Sequence, residues 1–597
     1  MRAILQTCGG LSAALCVVIA GCAGPLDQLD AEVDRLIERR QAAALDSSGQ
    51  LTIDAGRPAE FADQASGDIN EPRPGTSSPG IDELPARTNP DFEVDLTDTS
   101  DTSSIENRGE PIELDLTSLL AYAIEHAPEY RSEKESLFLT TLSLIVERHL
   151  WGPRFFSTIT GSVSGTPEGG DFDQVAEIVG DLRATQRLPY GGDVSIGAVV
   201  DYTRLLQQNV QTLGGLTDED DFASASVTGS FNLPFLRGAG VVAREDLIQS
   251  ERNLIYEVRE FERFRREFFV DLADDYFDLI VAQQQIVNRQ QQVDSLERLR
   301  SRFVALAEAG REPFFEAERA ESNVLSARAD LIAARDSYAA SLDSLKLRIG
   351  MPTDQPLEIK PVDIAVPVPM LESDIATQAG LSYRLDLQTQ RDRVDDAVRG
   401  VRVAKNGLLP GLDAFGDIRL PVAGDAFDDG VELDVGEGSY EAGLRFDAPL
   451  DRKIEWTQYR RALIDLERTR RSTTVFEDRV TLEVRNSIRQ IERAQIDLAL
   501  QDRNVEINER RLISVRLRER TLGPRDVIEA QEDLVDAQDA RDSAARDLRL
   551  SVLNFLLDTG QMRVAGNGAW LPPAELVPLD IDAMDPVDPP VEEALGG

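Results

Sequence analysis

The chain has 597 residues and a formal net charge of −44, from 63 lysines and arginines against 107 aspartates and glutamates. This acidic balance argues against nonspecific nucleic-acid binding, because a phosphate backbone is held by clustered lysine and arginine. Two histidines are too few for a His-rich metal site. All three cysteines lie within the first 22 residues, which excludes cysteine-based zinc, iron–sulfur and thiol chemistry from the body of the chain. We predict no cofactor, no metal and no catalytic residue.

The first 21 residues are typical of an export signal. Arg2 supplies a short positive segment, and Leu11–Ala20 is an apolar segment too short to cross a bilayer. The stretch Ile19–Cys22 resembles the bacterial lipobox. This resemblance implies cleavage before Cys22, a diacylglycerol and palmitate anchor on that residue and, because Ala23 follows, residence in the outer membrane. An ordinary signal peptide with an incidental cysteine is the alternative.

Residues 22–109 predict an acidic, disordered tether behind that anchor. They combine an excess of acids with proline, glycine, serine and threonine throughout. Such a composition buries too little apolar surface to offset the entropy of ordering. A short helix over Leu26–Ala44 is compatible with the pattern. Residues 564–597, where prolines alternate with acids, predict a similar tail at the other end.

Between the tails the sequence repeats itself, over residues 110–350 and again over residues 373–563, with 351–372 as a linker. In each half a helical pattern leads into strands and then into a long helix. A glycine interrupts the helical pattern, Gly310 in the first half and Gly523 in the second. We therefore predict two copies of a unit made of helix, strands, long helix, turn and helix.

The two long helices are predicted from the absence of helix breakers. No proline or glycine occurs over Val241–Glu308 or over Ile454–Leu522, and a helix of that size extends roughly 100 Å. Apolar rows with a seven-residue repeat predict coiled-coil packing. After Gly310 the row is rich in alanine and runs from Ala317 to Tyr338. Periodicity alone also fits an inert coiled-coil rod.

The segments between helices alternate with a period of two. Ile159 and Val163 interleave with Thr158, Thr160 and Ser162, and later segments follow the same rule. An apolar face opposite a small polar face fits a barrel with lipid outside and water inside, although it fits a soluble sandwich equally well. The export signal and the long helices favour the outer membrane. One chain has too few strands to close a wide barrel, so we predict a cyclic homo-oligomer.

Three motifs resemble the TolC-like outer-membrane efflux proteins. They lie at Leu116–Glu129, Asn232–Gly240 and Val527–Leu534, and the resemblance covers most of residues 110–563. It implies an α+β membrane protein: a homotrimer in which a shared transmembrane β-barrel continues into a periplasmic tunnel of long antiparallel helices. It also implies two partners, a periplasmic adaptor protein and an inner-membrane pump.

The resemblance carries over to particular residues. Gly310 and Gly523 match the helix tips that meet the adaptor, and Asp526 and Glu529 match the acids that constrict the closed entrance. The resemblance thus implies rings formed by three copies of both carboxylates, and such rings would favour cations. Two solvated surface acids are the alternative, and the spacing from Gly523 to the motif is about three residues short. A further departure is an additional strand pair within residues 182–202, since the family pattern gives twelve strands per trimer. The sequence is compatible both with an addition of this pair to the barrel and with an external hairpin.

We therefore expect an exit duct of a tripartite efflux or type I secretion system, which conducts substrates passively out of the cell. The alternative is a structural coiled-coil lipoprotein that tethers or spaces the envelope without a channel. An enzyme is not expected. The sequence has no phosphate-binding loop ending in Lys-Ser/Thr, no nucleophile elbow and no His-Glu-x-x-His pair.

Overall fold

A computed structural model describes residues 26–44, 111–168, 171–207, 221–361, 372–423, 432–433, 436–518 and 524–564. The export signal, Cys22, Gly523 and the C-terminal tail from residue 565 lie outside these ranges. Most of the predicted tether lies outside them as well. The predictions for these segments stay predictions.

The described residues form a mixed helix and strand fold that is mainly helical. Its α-helices are α1 Leu26–Ala44, α2 Leu116–His126, α3 Pro128–Leu150, α4 Glu245–Glu308, α5 Phe314–Ile349, α6 Ser373–Tyr383, α7 Leu385–Asn406, α8 Lys453–Leu517 and α9 Pro524–Asp558. None of the helices in these ranges is both long and apolar enough to cross a membrane.

The helices α4 and α8 dominate the molecule, with 64 and 65 residues. Each extends roughly 95 Å at the α-helical rise. Helix α4 begins four residues after the predicted Val241, because a 3₁₀ turn over Gly240–Arg244 precedes it. Helix α8 ends at Leu517, short of the predicted Leu522. The long uninterrupted helices are thus present, with slightly different ends.

The strands form one large antiparallel sheet and one small parallel pair. They are β1 Ile112–Leu114, β2 Arg154–Glu168, β3 Asp171–Arg187, β4 Asp193–Gln207, β5 Asp221–Pro234, β6 Leu357–Ile359, β7 Gly411–Ala423, β8 Glu432–Leu433 and β9 Ser439–Asp447. The large sheet has the order β2-β3-β4-β5-β7-β9, with short β8 also on β7, and β1 pairs with β6. The additional strand pair is therefore β3 and β4, both longer than predicted, inside this sheet.

The main core surrounds the first half of α4, where Phe261, Phe269, Tyr276 and Phe277 are almost fully buried. Apolar residues of α2, α3, α8 and α9 complete it. Aromatic side chains remove a large apolar area from water, so this region supplies much of the stability of the helical part.

A second core lies further along α4 and α5. The predicted alanine-rich row is buried from Ala317 through Leu331, and it packs on α4 residues such as Phe303. Val527 and Ile528 of α9 join the same cluster. Small residues allow the axes of α4 and α5 to approach closely, and the contacts of Val527 and Ile528 place the start of α9 beside this first hairpin.

Helix α1 packs on this body. Val33, Leu36 and Ile37 are buried. Arg40 lies 3.2 Å from Glu251 of α4, which also pairs with Arg148 of α3 at 2.7 Å. The apolar contacts and the shared carboxylate fix α1 against α3 and α4.

Candidate functional site

The large sheet has two chemically different faces. Residues that are direct cross-strand partners lie on the same face of a sheet. One row of partners crosses all six long strands and is apolar or small, and we call it the apolar row: Phe155, Ala184, Ile196, Gly229, Ile418, Tyr440. The adjacent row lies on the opposite face and is hydrophilic, and we call it the polar row: Arg154, Thr185, Ser195, Ser230, Asp417, Glu441.

The apolar row belongs to a wide exposed surface. Its Phe155, Ile196 and Tyr440 are 75%, 61% and 85% exposed. Large apolar side chains in other rows of the same face are exposed as well: Ile159, Val163, Ile178, Leu182, Leu444, Phe446. Soluble monomers rarely expose an apolar patch above a few hundred Å². A six-strand face covered with such side chains therefore needs an apolar environment.

The polar face is built for contact with water. The Ser195 and Ser230 hydroxyls are hydrogen-bonded at 2.6 Å, and Thr228 donates to the Gly197 carbonyl at 3.4 Å. The Arg183 guanidinium lies 3.4 Å from the Asp181 carboxylate. Hydroxyls and ion pairs of this kind keep their solvation only if the face lines an aqueous space.

Both outer edges of this sheet are open within the described residues. Strand β2 pairs only with β3, and β9 pairs only with β7. An unpaired edge presents a row of backbone donors and acceptors, and this is not tolerated in lipid. In an apolar environment both edges of this sheet therefore need strand partners.

The turn between β3 and β4 is hydrogen-bonded to the predicted Asn232–Gly240 motif. The Gly240 N–H donates to the Tyr190 carbonyl at 2.8 Å. Gly191 and Gly192 have positive φ angles of 105° and 80°. A Cβ on Gly192 would lie 1.8 Å from the Asn232 carbonyl oxygen, so only glycine fits there.

Asn406 joins this motif to the second half of the chain, and sequence reasoning missed it. Its side-chain oxygen accepts from the Gly238 N–H at 2.7 Å, and its amide donates to the Leu236 carbonyl at 3.2 Å. The residue lies at the end of α7, more than 160 positions later. Only a long-range contact, invisible in local patterns, identifies it.

Gly310 ends α4 at the tip of the first hairpin. Its φ is +66°, and the Gly310 and Arg311 N–H groups donate to the Ala307 and Leu306 carbonyls, both at 2.9 Å. This pair of bonds is the Schellman motif that closes a helix with glycine. The next helix begins with Phe314 and Phe315, two exposed aromatic side chains that sequence reasoning did not single out.

Asp526 and Glu529 lie in the first turns of α9, at the tip of the second hairpin. Asp526 is half-buried and Glu529 is exposed, while Ala530 is fully buried against α8. Arg511 of α8 lies 3.1 Å from Glu529 and also pairs with Asp533. The structure thus keeps both predicted acids close together and adds a basic partner for Glu529 within the same chain.

Further acids continue along α9. Burial raises the pKa of Glu532, and the nearby charges of Asp536, Asp533 and Glu529 raise it further. Like charges at this spacing disfavour the ionised form of the Glu532 carboxyl. The prediction of two acids therefore missed part of a longer carboxylate series. No group of three or more side chains arranged to hold a metal ion occurs in the part of the chain that the structure describes.

No family model matches the sequence, and no curated protein matches it. Solved structures do match. The outer-membrane channel CmeC of Campylobacter jejuni has 14% identity and a TM-score of 0.56, with 75% of this chain and 85% of that chain covered. The outer-membrane protein VceC of Vibrio cholerae has 14% identity and a TM-score of 0.55, with 74% and 96% covered. The open MtrE channel of Neisseria gonorrhoeae has 15% identity and a TM-score of 0.52, with 75% and 89% covered. Identities this low show a shared fold, and the chain has the fold of the TolC-like outer-membrane channels.

Proposed function

We propose that three copies of this chain form an outer-membrane channel, the exit duct of a tripartite efflux or type I secretion system. The observation that carries the proposal is the pair of adjacent rows across six strands, one apolar and one polar. A closed barrel satisfies both rows, because lipid covers one face and water fills the other. A coiled-coil envelope tether has no use for such a sheet.

The helical part offers a second surface for neighbouring copies. Leu139 and Val146 lie seven residues apart on α3 and are 62% and 61% exposed. Val475 and Leu482, also seven apart, and Ile496 form an exposed apolar stripe on α8. In a trimer these stripes face the adjacent chains and continue the closure from the barrel into a helical tunnel.

The tips of the helical hairpins are the proposed lower end of the duct. Asp526 and Glu529 form carboxylate rings around the threefold axis, which narrow the entrance and favour cations. Gly310, with Phe314 and Phe315 beside it, presents a compact tip with exposed aromatics to a periplasmic adaptor. Gly523 is proposed to play the matching role in the second tip. The adaptor connects the duct to an inner-membrane pump, so the chain itself conducts passively and carries out no chemistry.

Cys22 is proposed to anchor each chain in the outer membrane. Three residues separate it from α1, which is fixed to the body by buried apolar side chains and by the Arg40–Glu251 ion pair. A Cys22→Ser variant should fail to incorporate palmitate, and radiolabelled palmitate measures this. Equal labelling of both proteins would contradict the anchor.

The proposed function is tested by mass and by conductance. The detergent-extracted protein is measured by light scattering and then added to planar lipid bilayers. We expect the mass of three chains and stepwise ion currents. A stable monomer without current would overturn the proposal.

A further inference from the structure

We infer that the barrel of this channel has eighteen long strands, six from each chain, and is correspondingly wide. The inference rests on the proposed trimer and goes beyond it. It concerns β3 and β4, the hairpin that enlarges the first half of the chain, and the pairing of β9 with β2 of a second copy.

The hairpin is part of the wall along its whole length. Strand β3 pairs with β2 from Arg154–Thr185 to Glu168–Asp171, and β4 pairs with β5 from Asp193–Asn232 to Arg204–Asp221. The apolar and polar rows pass through both strands without a change of face. A hairpin lying outside the wall would leave β2 beside β5 and would break both rows.

The direction of the strands permits closure by a second copy. Strands β2 and β7 follow helices α3 and α7 and run away from the helical part, whereas β5 and β9 lead back into α4 and α8. Neighbouring strands in the sheet of six alternate in direction, so β9 at one edge and β2 at the other run in opposite directions. When β9 of one copy lies beside β2 of the next, the seam is antiparallel like every other pair.

The two edges also match in chemistry. Strand β2 carries Phe155, Ile159 and Val163 on the apolar face, and β9 carries Tyr440 and Leu444 on the same face. The β9–β2 pairs that each copy forms with its two neighbours therefore continue the apolar face around the barrel. The occupant of each edge is a second copy of this chain, because only a copy supplies both the complementary edge and the same two faces.

The number of strands sets the width. With strands about 4.8 Å apart and tilted by about 40°, eighteen strands close at a radius of roughly 18 Å, against roughly 12 Å for twelve. The enclosed cross-section is then about 2.3-fold larger. Natural barrels of sixteen to eighteen strands leave an open aqueous channel. The barrel therefore does not limit the size of what leaves, and selection by size falls to the helical entrance.

Engineered disulfides test the position of the hairpin. The Ser195→Cys and Ser230→Cys pair joins β4 to β5, where the hydroxyls are 2.6 Å apart. The matched pair is Thr158→Cys with Ser226→Cys, two residues of one polar-face row that are separated by β3 and β4. All native cysteines lie in the first 22 residues, so no other thiol occurs in the body. We expect the first pair to cross-link in membranes and the second to stay reduced, and the reverse result would overturn the inference.

Polymer exclusion tests the width. Polyethylene glycols of graded size are added to the barrel side of a bilayer, and the largest one that lowers the current is recorded. The comparison is a variant that lacks residues 169–207 and therefore lacks β3 and β4. In this variant β2 is joined to the segment before β5. Each chain then has four strands, and neighbouring strands still alternate in direction. We expect the full chain to admit polymers of about 1.5-fold larger radius. An equal polymer-size cutoff for the two proteins would contradict the wide barrel and leave the channel proposal intact. Absence of current through the full chain would contradict both the wide barrel and the channel proposal.

Discussion

The most informative perturbation places an arginine on each face of the same strand. Ile159 and Thr160 are consecutive in β2, and Ile159 is 57% exposed on the apolar face while Thr160 lies on the polar face. The two variants, Ile159→Arg and Thr160→Arg, add the same side chain at the same depth. Only the surroundings differ.

The expected cost follows from the proposed environment. An arginine on the lipid side of a barrel costs about 2–4 kcal/mol near the middle of the bilayer, whereas a lumen position is tolerated. This difference corresponds to a factor of roughly 30 to 1,000 in the folding equilibrium of each chain. Three chains carry the change in each trimer, so Ile159→Arg should remove most of the assembled channel.

The assay compares both variants with the unchanged protein. The fraction of trimer in outer-membrane extracts is measured on unheated gels, and the temperature at which the trimer dissociates is recorded. Ile159→Arg should lower both strongly, and Thr160→Arg should leave both nearly unchanged. Equal tolerance of the two variants, or greater damage from Thr160→Arg, would refute the assignment of the faces.

Three further outcomes are expected. Gly192→Ala should destabilise the trimer by about 1–3 kcal/mol, measured by thermal dissociation, because alanine meets a carbonyl oxygen of β5 and a positive φ; unchanged stability would contradict the turn. Replacing Asp526 and Glu529 together with alanine should raise the conductance and lower cation selectivity in planar bilayers, and unchanged currents would reject the proposed constriction. Burial opposes the charge of Asp386, but Arg384, Arg263 and the backbone N–H of Leu387 together outweigh this and hold the pKa of that carboxyl below its usual value. The ionised Asp386 carboxylate therefore contributes its full stabilisation above pH about 4, and this contribution is lost as the pH falls through the lower pKa of the folded protein. Thermal unfolding at several pH values should show this loss in the unchanged protein and not in the Asp386→Asn variant.

Much of the architecture follows from local patterns. The long helices follow from the absence of proline and glycine, and α9 begins at Pro524, which suits the first position of a helix. The alanine-rich row beginning at Ala317 is buried as its spacing indicates. The strand faces are also local, because alternation fixes which side each residue takes. Ile159 and Val163 lie on the face that the sequence predicts.

The extent and place of the added hairpin could not be predicted. Val179 lies on the polar face of β3, and a register irregularity occurs at Gln174–Val175, so the alternation is blurred in the first part of the strand. Strand order depends on long-range pairing, and a one-residue slip exchanges the two faces. Nothing local assigns β4 to β5 or β5 to β7.

At the candidate entrance, too, contacts between distant parts of the chain could not be predicted from the sequence. The family resemblance identifies Asp526 and Glu529, but it does not identify Arg511, whose guanidinium contacts Glu529 from another helix. Ion pairs between helices depend on how the helices are packed and rotated. The sequence alone therefore predicts the acids and not their partner.

The central claim is that the sheet closes in lipid through contacts between copies. Electron cryo-microscopy of the full chain in lipid nanodiscs measures this directly. We predict a threefold particle in which β9 of each copy is hydrogen-bonded to β2 of the next, with lipid against the apolar row and solvent against the polar row. A monomeric particle, or a sheet whose apolar face is covered by protein and whose edges stay unpaired, would contradict the account.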